Sequence, residues 1–185
     1  MSHADTPSAS AGANGQRTMS DEDPLPTWTP LQRRLHWLVA ALVLAQFLLQ
    51  RPMRAASEAV ADGVAVSFGQ FAVTTLHTWG GAGIAALVVY RIVLRRRRPV
   101  PVGGARLGPR ESRLIGWYHA SLYGLLLAMA LSGALHYYAA LPGAARVHEL
   151  GKWLLGVAVA VHLVGALRHA RLSGRRRDRG SARAP

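Results

Sequence analysis

Long apolar stretches alternate with short polar and charged segments through most of this sequence. Four of them, at residues 31–50, 73–94, 114–137 and 147–168, are long enough to span a bilayer. A helix needs about 20 predominantly apolar residues to cross the hydrocarbon core of a membrane. The pattern therefore predicts an all-α protein, an integral membrane four-helix bundle whose main partner is the lipid bilayer.

The two ends of the chain differ from this apolar region. Residues 1–27 are small, polar and partly acidic, and they contain no apolar stretch of the kind found in a signal peptide. We interpret them as a disordered cytoplasmic tail. Residues 173–185 are rich in arginine and are predicted to form a basic cytoplasmic tail. The four-helix transmembrane domain is then expected over residues 28–172.

The net charge of +13 is unusual for a chain that is half apolar. Nucleic-acid binding is one explanation for such a charge, but here the arginines cluster between the apolar stretches. Eighteen of the 22 Lys and Arg residues lie in the N-terminal region, the second connection and the C-terminal end. The positive-inside rule then places both termini and the central connection in the cytoplasm. We therefore predict a multi-pass membrane protein that does not bind nucleic acid.

Cysteine is absent from the sequence. Disulfides, thiolate-ligated haem, haem attached through thioethers, iron–sulfur clusters and cysteine zinc sites are therefore excluded.

Two histidines of the fourth apolar stretch have a spacing that indicates a function. His148 and His162 are fourteen residues apart, so they lie on the same side of a helix, about 21 Å apart along its axis. Histidine within a membrane span is costly and is a functional candidate by default. This separation suits two haems, one near each surface of the bilayer.

The predicted topology gives each of these histidines a partner. His36 is expected near the cytoplasmic face and His77 near the outer face, at the depths of His162 and His148 respectively. Each pair could hold one haem iron between two bundle helices. Such an iron has no open position, so it passes single electrons. The alternative is that each histidine only completes hydrogen bonds near a helix end.

Three further polar residues are candidates for contacts with a cofactor or substrate. His119 is predicted at the depth of the inner pair, where it competes as a ligand or contacts a propionate or quinone. His169 lies seven residues after His162 and either contacts a quinone or is a solvated interfacial residue. Arg91 lies fourteen residues after His77 and either pairs with a haem propionate or extends to the interface.

Glycines near the paired histidines allow two interpretations. They either leave room for a flat macrocycle or provide ordinary small-residue packing between membrane helices. These glycines are Gly80, Gly81, Gly83 and Gly165.

Four stretches of the chain together resemble the bacterial cytochrome b561 family, which includes the superoxide oxidase of bacterial inner membranes. They are LQRRLHWLVAALVLAQ, TTLHTWGGAGIAALVVYRIVLRRRRPVP, GWYHASLYGLLLAMALSG and RVHELGKWLLGVAVAVHLVGALRHA. The resemblance covers residues 30–171, and the long tail before Pro24 departs from it. It implies two haems b, with His36 and His162 ligating the cytoplasmic haem and His77 and His148 the periplasmic one. It also implies that His169 lies near the quinone.

This resemblance predicts a superoxide:ubiquinone oxidoreductase, with ubiquinone as a substrate. Superoxide gives up one electron, ubiquinone takes two electrons and two protons, and two haems can store both electrons. The main alternative is a relay subunit that passes electrons from a hydrogenase-type or dehydrogenase-type periplasmic donor to quinone. A third class, a histidine-lined metal or proton transporter, should carry acidic residues inside the spans. Only Glu149 comes near one, at its outer edge.

Overall fold

A computed structural model describes residues 28–99 and 108–181, with side chains described to residue 171. The predicted disordered tail at residues 1–27 lies outside the described residues. Within the described ranges the regular structure is entirely helical. The helices are α1 (Pro30–Leu48), α2 (Gln50–Ala61), α3 (Phe68–Arg97), α4 (Pro109–Ala139) and α5 (Pro142–Ser181).

Three of these helices, α3, α4 and α5, are each long and apolar enough to cross a membrane, α5 over Pro142–Arg171. Helix α1 meets the same criterion only together with α2, from which a bend of 45° separates it. The described residues therefore contain three candidate spans, or four when the bent pair counts as one. The prediction of an all-helical protein with apolar spans is confirmed in this form.

Helix α2 was not expected, because its sequence QRPMRAASEAVA is too polar to register as a span. It folds as a helix because its apolar residues share one side. Ala56 is 2% exposed and Met53, one turn earlier, is half-buried, whereas Arg54 and Glu58 are exposed. The buried side packs against α3. This separation of an apolar side from a polar side is what makes the segment an amphipathic helix.

The helix ends are set by local hydrogen bonds. Helices α1 and α3 both begin with a capping box, formed by Thr29 with Gln32 and by Ser67 with Gln70. Helix α4 ends at Ala140, which adopts the left-handed conformation at φ 50°, and the Leu141 N–H donates to the Leu135 carbonyl at 3.4 Å. Only two residues then separate α4 from α5, so the two helices form an antiparallel hairpin.

Helix α5 is longer than predicted and continues to Ser181. Residues 173–181, predicted as part of the basic tail, are therefore helical. Helices α3 and α4 also extend a few residues beyond their predicted bounds, because Ser67 and Gly108 cap helices that include polar turns outside the apolar stretch. Helix α1, in contrast, ends at Leu48, two residues before the predicted bound.

The packing of the helices leaves a gap between α5 on one side and α1 and α3 on the other. Helix α4 packs against α3 and α5, and α1 packs against α3, whereas no Cα atom described in α5 comes within 8 Å of one in α1 or α3. Side chains meet across this gap in a small core of Val39, Val43, Ile84, Val88 and Leu155. Outside the bundle, apolar residues face outward, as lipid contact requires. Trp37, Trp79, Trp117 and Trp153 are 68–71% exposed.

Candidate functional site

The gap that separates α5 from α1 and α3 contains two pairs of facing histidines. His36 on α1 faces His162 on α5, with ring centroids 6.0 Å apart and ring planes at 73°. His77 on α3 faces His148 on α5, with centroids 6.2 Å apart and planes at 77°. The structure thus brings together the residues that the sequence predicted as pairs.

The ring separations suit one iron between each pair. Imidazole nitrogens bind first-row transition metals at about 2 Å, so rings on opposite sides of one iron have centroids about 6.3 Å apart. Among the described residues, no group of three or more His, Asp or Glu side chains could hold a metal ion directly. Two imidazoles supply only two ligands, so a metal here needs the remaining ones from a macrocycle such as haem.

A cavity of about 930 Å³ lies beside the outer pair and has a mostly apolar lining drawn from all five helices. This is within the size range of cofactor sites. Gly81, one turn from His77, lines the cavity, and a Cβ there would meet nothing within 4 Å. At Gly80, in contrast, a Cβ would collide with the amide of Gln46. The glycines therefore serve both purposes: Gly81 leaves open space and Gly80 permits close packing.

The ring of His148 is oriented by helix α4. Its Nδ1 lies 3.0 Å from the Met129 carbonyl oxygen and 3.3 Å from the Ser132 hydroxyl. A carbonyl oxygen can only accept, so Nδ1 carries the proton and Nε2 keeps its lone pair. Gly133 lets the ring lie against α4, because a Cβ there would be 3.1 Å from His148 Cε1. This arrangement is typical of a histidine held ready to bind a metal.

The inner pair has a third histidine beside it. The centroids of His119 and His162 are 5.2 Å apart. Nδ1 of His119 donates to the Ile115 carbonyl at 2.7 Å, which leaves its Nε2 able to accept. Tyr118, not singled out from the sequence, stacks on His162 with ring centroids 6.2 Å apart, and its hydroxyl donates to the Ala158 carbonyl. The inner site is therefore more crowded and more aromatic than expected.

Arg91 is buried among the helices, at 8% exposure. Its Nη1 donates to the Gln32 carbonyl at 2.8 Å, and its Nη2 lies 3.5 Å from the Tyr123 hydroxyl. No ion pair joins it to a carboxylate among the described residues. A buried guanidinium without a counter-ion is costly, so this position favours an anionic group of a bound ligand.

His169 stands apart from both pairs. It lies on α5 two turns beyond His162, and its side chain is exposed. The structure places no described hydrogen bond or ion pair on it.

The paired histidines on apolar helices define a class of helical membrane protein that holds a metal macrocycle between its helices. The chain belongs to the prokaryotic cytochrome b561 family, whose sequence model matches residues 27–175. It is also similar to cytochrome b562 of Cereibacter sphaeroides, with 30% identity over 145 residues, which cover 78% of this chain and 87% of that protein. Family membership implies haem binding and a redox role, and together with the apolar helices it indicates a multi-pass membrane protein.

Gly133→Ala tests whether the contact between the His148 ring and α4 orients this histidine. A Cβ 3.1 Å from Cε1 forces the ring away from the Met129 carbonyl. We expect the affinity for one haem to fall by about tenfold, the lower end of the range for losing a partner that orients a metal-binding histidine. Haem content and dissociation rates measured by absorbance check this.

The matched control for this substitution is Gly124→Ala, on the same helix, where a Cβ meets nothing within 4 Å. Equal haem affinity in the two variants would contradict the proposed contact.

Proposed function

We propose that this chain is a dihaem cytochrome b of the bacterial inner membrane that carries electrons between the periplasmic side and the quinone pool. The observation that carries the proposal is that two pairs of facing histidines lie one after the other along α5. This arrangement supports one haem near each surface. Their separation along the helix is about 21 Å. Haem held by these pairs supplies a one-electron ferric/ferrous couple with no open coordination position.

The ligands that we propose for the outer haem are His77 and His148, and those for the inner haem are His36 and His162. His119 is the weaker candidate for the inner iron, because its ring centroid is 5.2 Å from that of His162. That is too short for an iron between the rings, whereas the 6.0 Å between His36 and His162 suits one. His119 is then left to accept a hydrogen bond through its Nε2, and Arg91 to pair with a propionate.

Four spans with both termini in the cytoplasm are part of this proposal. Helix α1 has 19 residues, about 28 Å of rise, which nearly equals the apolar thickness of a bilayer. Helix α2 is then an amphipathic helix on the periplasmic surface. The excess of arginine on the opposite side supports this orientation.

This orientation is testable because the chain contains no cysteine. We expect a single cysteine introduced as Asp62→Cys to react with a membrane-impermeant maleimide on intact cells. The matched variant Arg110→Cys should react only after the cells are opened. Labelling of both in intact cells, or of Arg110→Cys alone, would refute the proposed topology.

Superoxide is the electron donor that we propose, with ubiquinone as acceptor. Two superoxide anions would each give one electron at the outer site and leave as oxygen, and ubiquinone would take both electrons with two protons. The cavity beside His77 and His148 offers a small donor a route to the outer haem. Lys152 lines that cavity and provides positive charge there. His169, exposed at the cytoplasmic end of α5, is the proposed contact for the quinone.

A relay subunit is the second candidate, and the outer charges favour it. Lys152 is paired with Glu149 at 2.5 Å, and Arg54 with Glu58 at 3.7 Å. These pairs leave little concentrated positive charge to attract a small anion. A periplasmic protein donor would not need such a field.

His148→Ala should remove the outer haem and leave the inner one, so that the haem-to-protein ratio falls from two to one. His169→Ala is the matched control, because this histidine is exposed on α5 and stands apart from both pairs, so the substitution should leave both haems in place. Pyridine haemochrome spectra of the purified proteins give the ratio. Two intact haems in His148→Ala would overturn the proposed pairing.

Stopped-flow mixing of the oxidised protein with superoxide distinguishes the two candidate functions. We expect rapid reduction of a haem b spectrum, followed by reoxidation when a ubiquinone analogue is added. Superoxide dismutase added beforehand should abolish the reduction. A haem spectrum that stays oxidised would exclude superoxide as donor and favour the relay function.

A further inference from the structure

Two buried side-chain atoms lack a hydrogen-bond partner among the described residues, and they belong to residues that line the same cavity. They are the Oε1 atom of Gln46 and the Nδ1 atom of His77. Both residues line the cavity beside the outer histidine pair. A buried polar atom without a partner is costly, so two of them on neighbouring elements of one cavity call for an explanation.

The amide of Gln46 lies against α3 at Gly80. Gly80 lies one turn after His77 on α3, on nearly the same side of the helix. A Cβ at Gly80 would collide with Nε2 of Gln46, whose amide therefore rests against the backbone of α3. Gln46 comes from α1, so the contact bridges two helices that pack together.

The two atoms have complementary hydrogen-bonding roles. An imidazole that binds a metal through Nε2 carries its proton on Nδ1, which is then a donor, and an amide oxygen is an acceptor. The other ligand on the outer side, His148, already has such an arrangement, since its Nδ1 donates to the Met129 carbonyl at 3.0 Å. His77 lacks a comparable partner among the described residues. A metal-binding histidine almost always donates its second ring N–H to an acceptor.

We propose that Gln46 is the positioning residue for His77, accepting a hydrogen bond from Nδ1–H through Oε1. The inference rests on the proposed function, since it requires His77 to be an iron ligand. The bond requires the Gln46 amide to turn about its last torsion, since its Oε1 has no partner among the described residues. The bond fixes the orientation of the ring and increases its basicity. It therefore stabilises the ferric state of the outer haem and lowers its midpoint potential.

Redox titration of the purified, haem-loaded protein tests this inference, with Gln46→Leu as the main variant. Leucine has a similar size and no acceptor, so the potential of the outer haem should rise while that of the inner haem stays unchanged. The outer haem should also dissociate more readily, by about 10–100-fold in affinity. The redox titration should show one step for each haem. The step that is absent when His77→Ala is titrated belongs to the outer haem.

Three further variants separate a hydrogen bond from simple packing. Gln46→Glu keeps an oxygen acceptor, so its outer potential should not rise. Gly80→Ala should shift the potential in the same direction as Gln46→Leu, because the Cβ displaces the amide. Gly69→Ala, the same change on the same helix, where the Cβ would make only an ordinary contact with the Ser67 hydroxyl at 3.9 Å, should have no effect.

Each outcome decides the question. An unchanged outer potential in Gln46→Leu, or an equal rise in Gln46→Leu and Gln46→Glu, would overturn the role of Gln46. If Gln46→Leu fails to hold haem, Gln46→Glu decides: a normal titration supports the bond, and loss of haem there too refutes it. A wild-type protein without two bis-histidine haems would instead contradict the proposed function itself.

Discussion

The separation of α5 from α1 and α3 is the constraint on which the rest of the structure depends. Helix α5 is held by α4 through a two-residue connection and close packing, while its opposite side faces a gap. Across that gap the contacts are between side chains and not between backbones, and the histidine rings lie where an iron could bridge them. A tighter bundle would bury more apolar area but would leave no space for a macrocycle.

Polar groups inside this bundle follow a consistent rule. Water is scarce at the centre of a membrane, so each buried polar atom must find a partner in the protein or in a ligand. Met129 provides one for His148, and Gln32 provides one for Arg91. The atoms that lack a partner among the described residues, Oε1 of Gln46 and Nδ1 of His77, belong to two residues that line the same cavity. The bond proposed between them would bring both under this rule.

Much of this arrangement could be predicted from the sequence, because the period of a helix and the thickness of a bilayer are fixed. The four apolar stretches were located to within a few residues, and the spacing of His148 and His162 together with the topology gave both histidine pairs. Helix α2 could not be predicted from the length of apolar stretches, because its segment is polar overall. It is stabilised by burying the few apolar residues that share one side of the helix. Tyr118 and Gln46 were also missed, because their roles depend on how α1, α4 and α5 meet. The isolated glutamine in an apolar span was nevertheless a signal that intramembrane polar residues are worth examining.

The origin of the proposed ligands along the chain also bears on biogenesis. Each histidine pair takes one member from α1 or α3 and the other from α5, which follows them in the chain. A nascent or truncated chain that ends before α5 would therefore offer a single imidazole at each position. An iron bound there would keep an open coordination site, exposed to oxygen. With the proposed ligands, α5 is needed for both sites at once, so neither iron would be fully coordinated until α5 has been inserted.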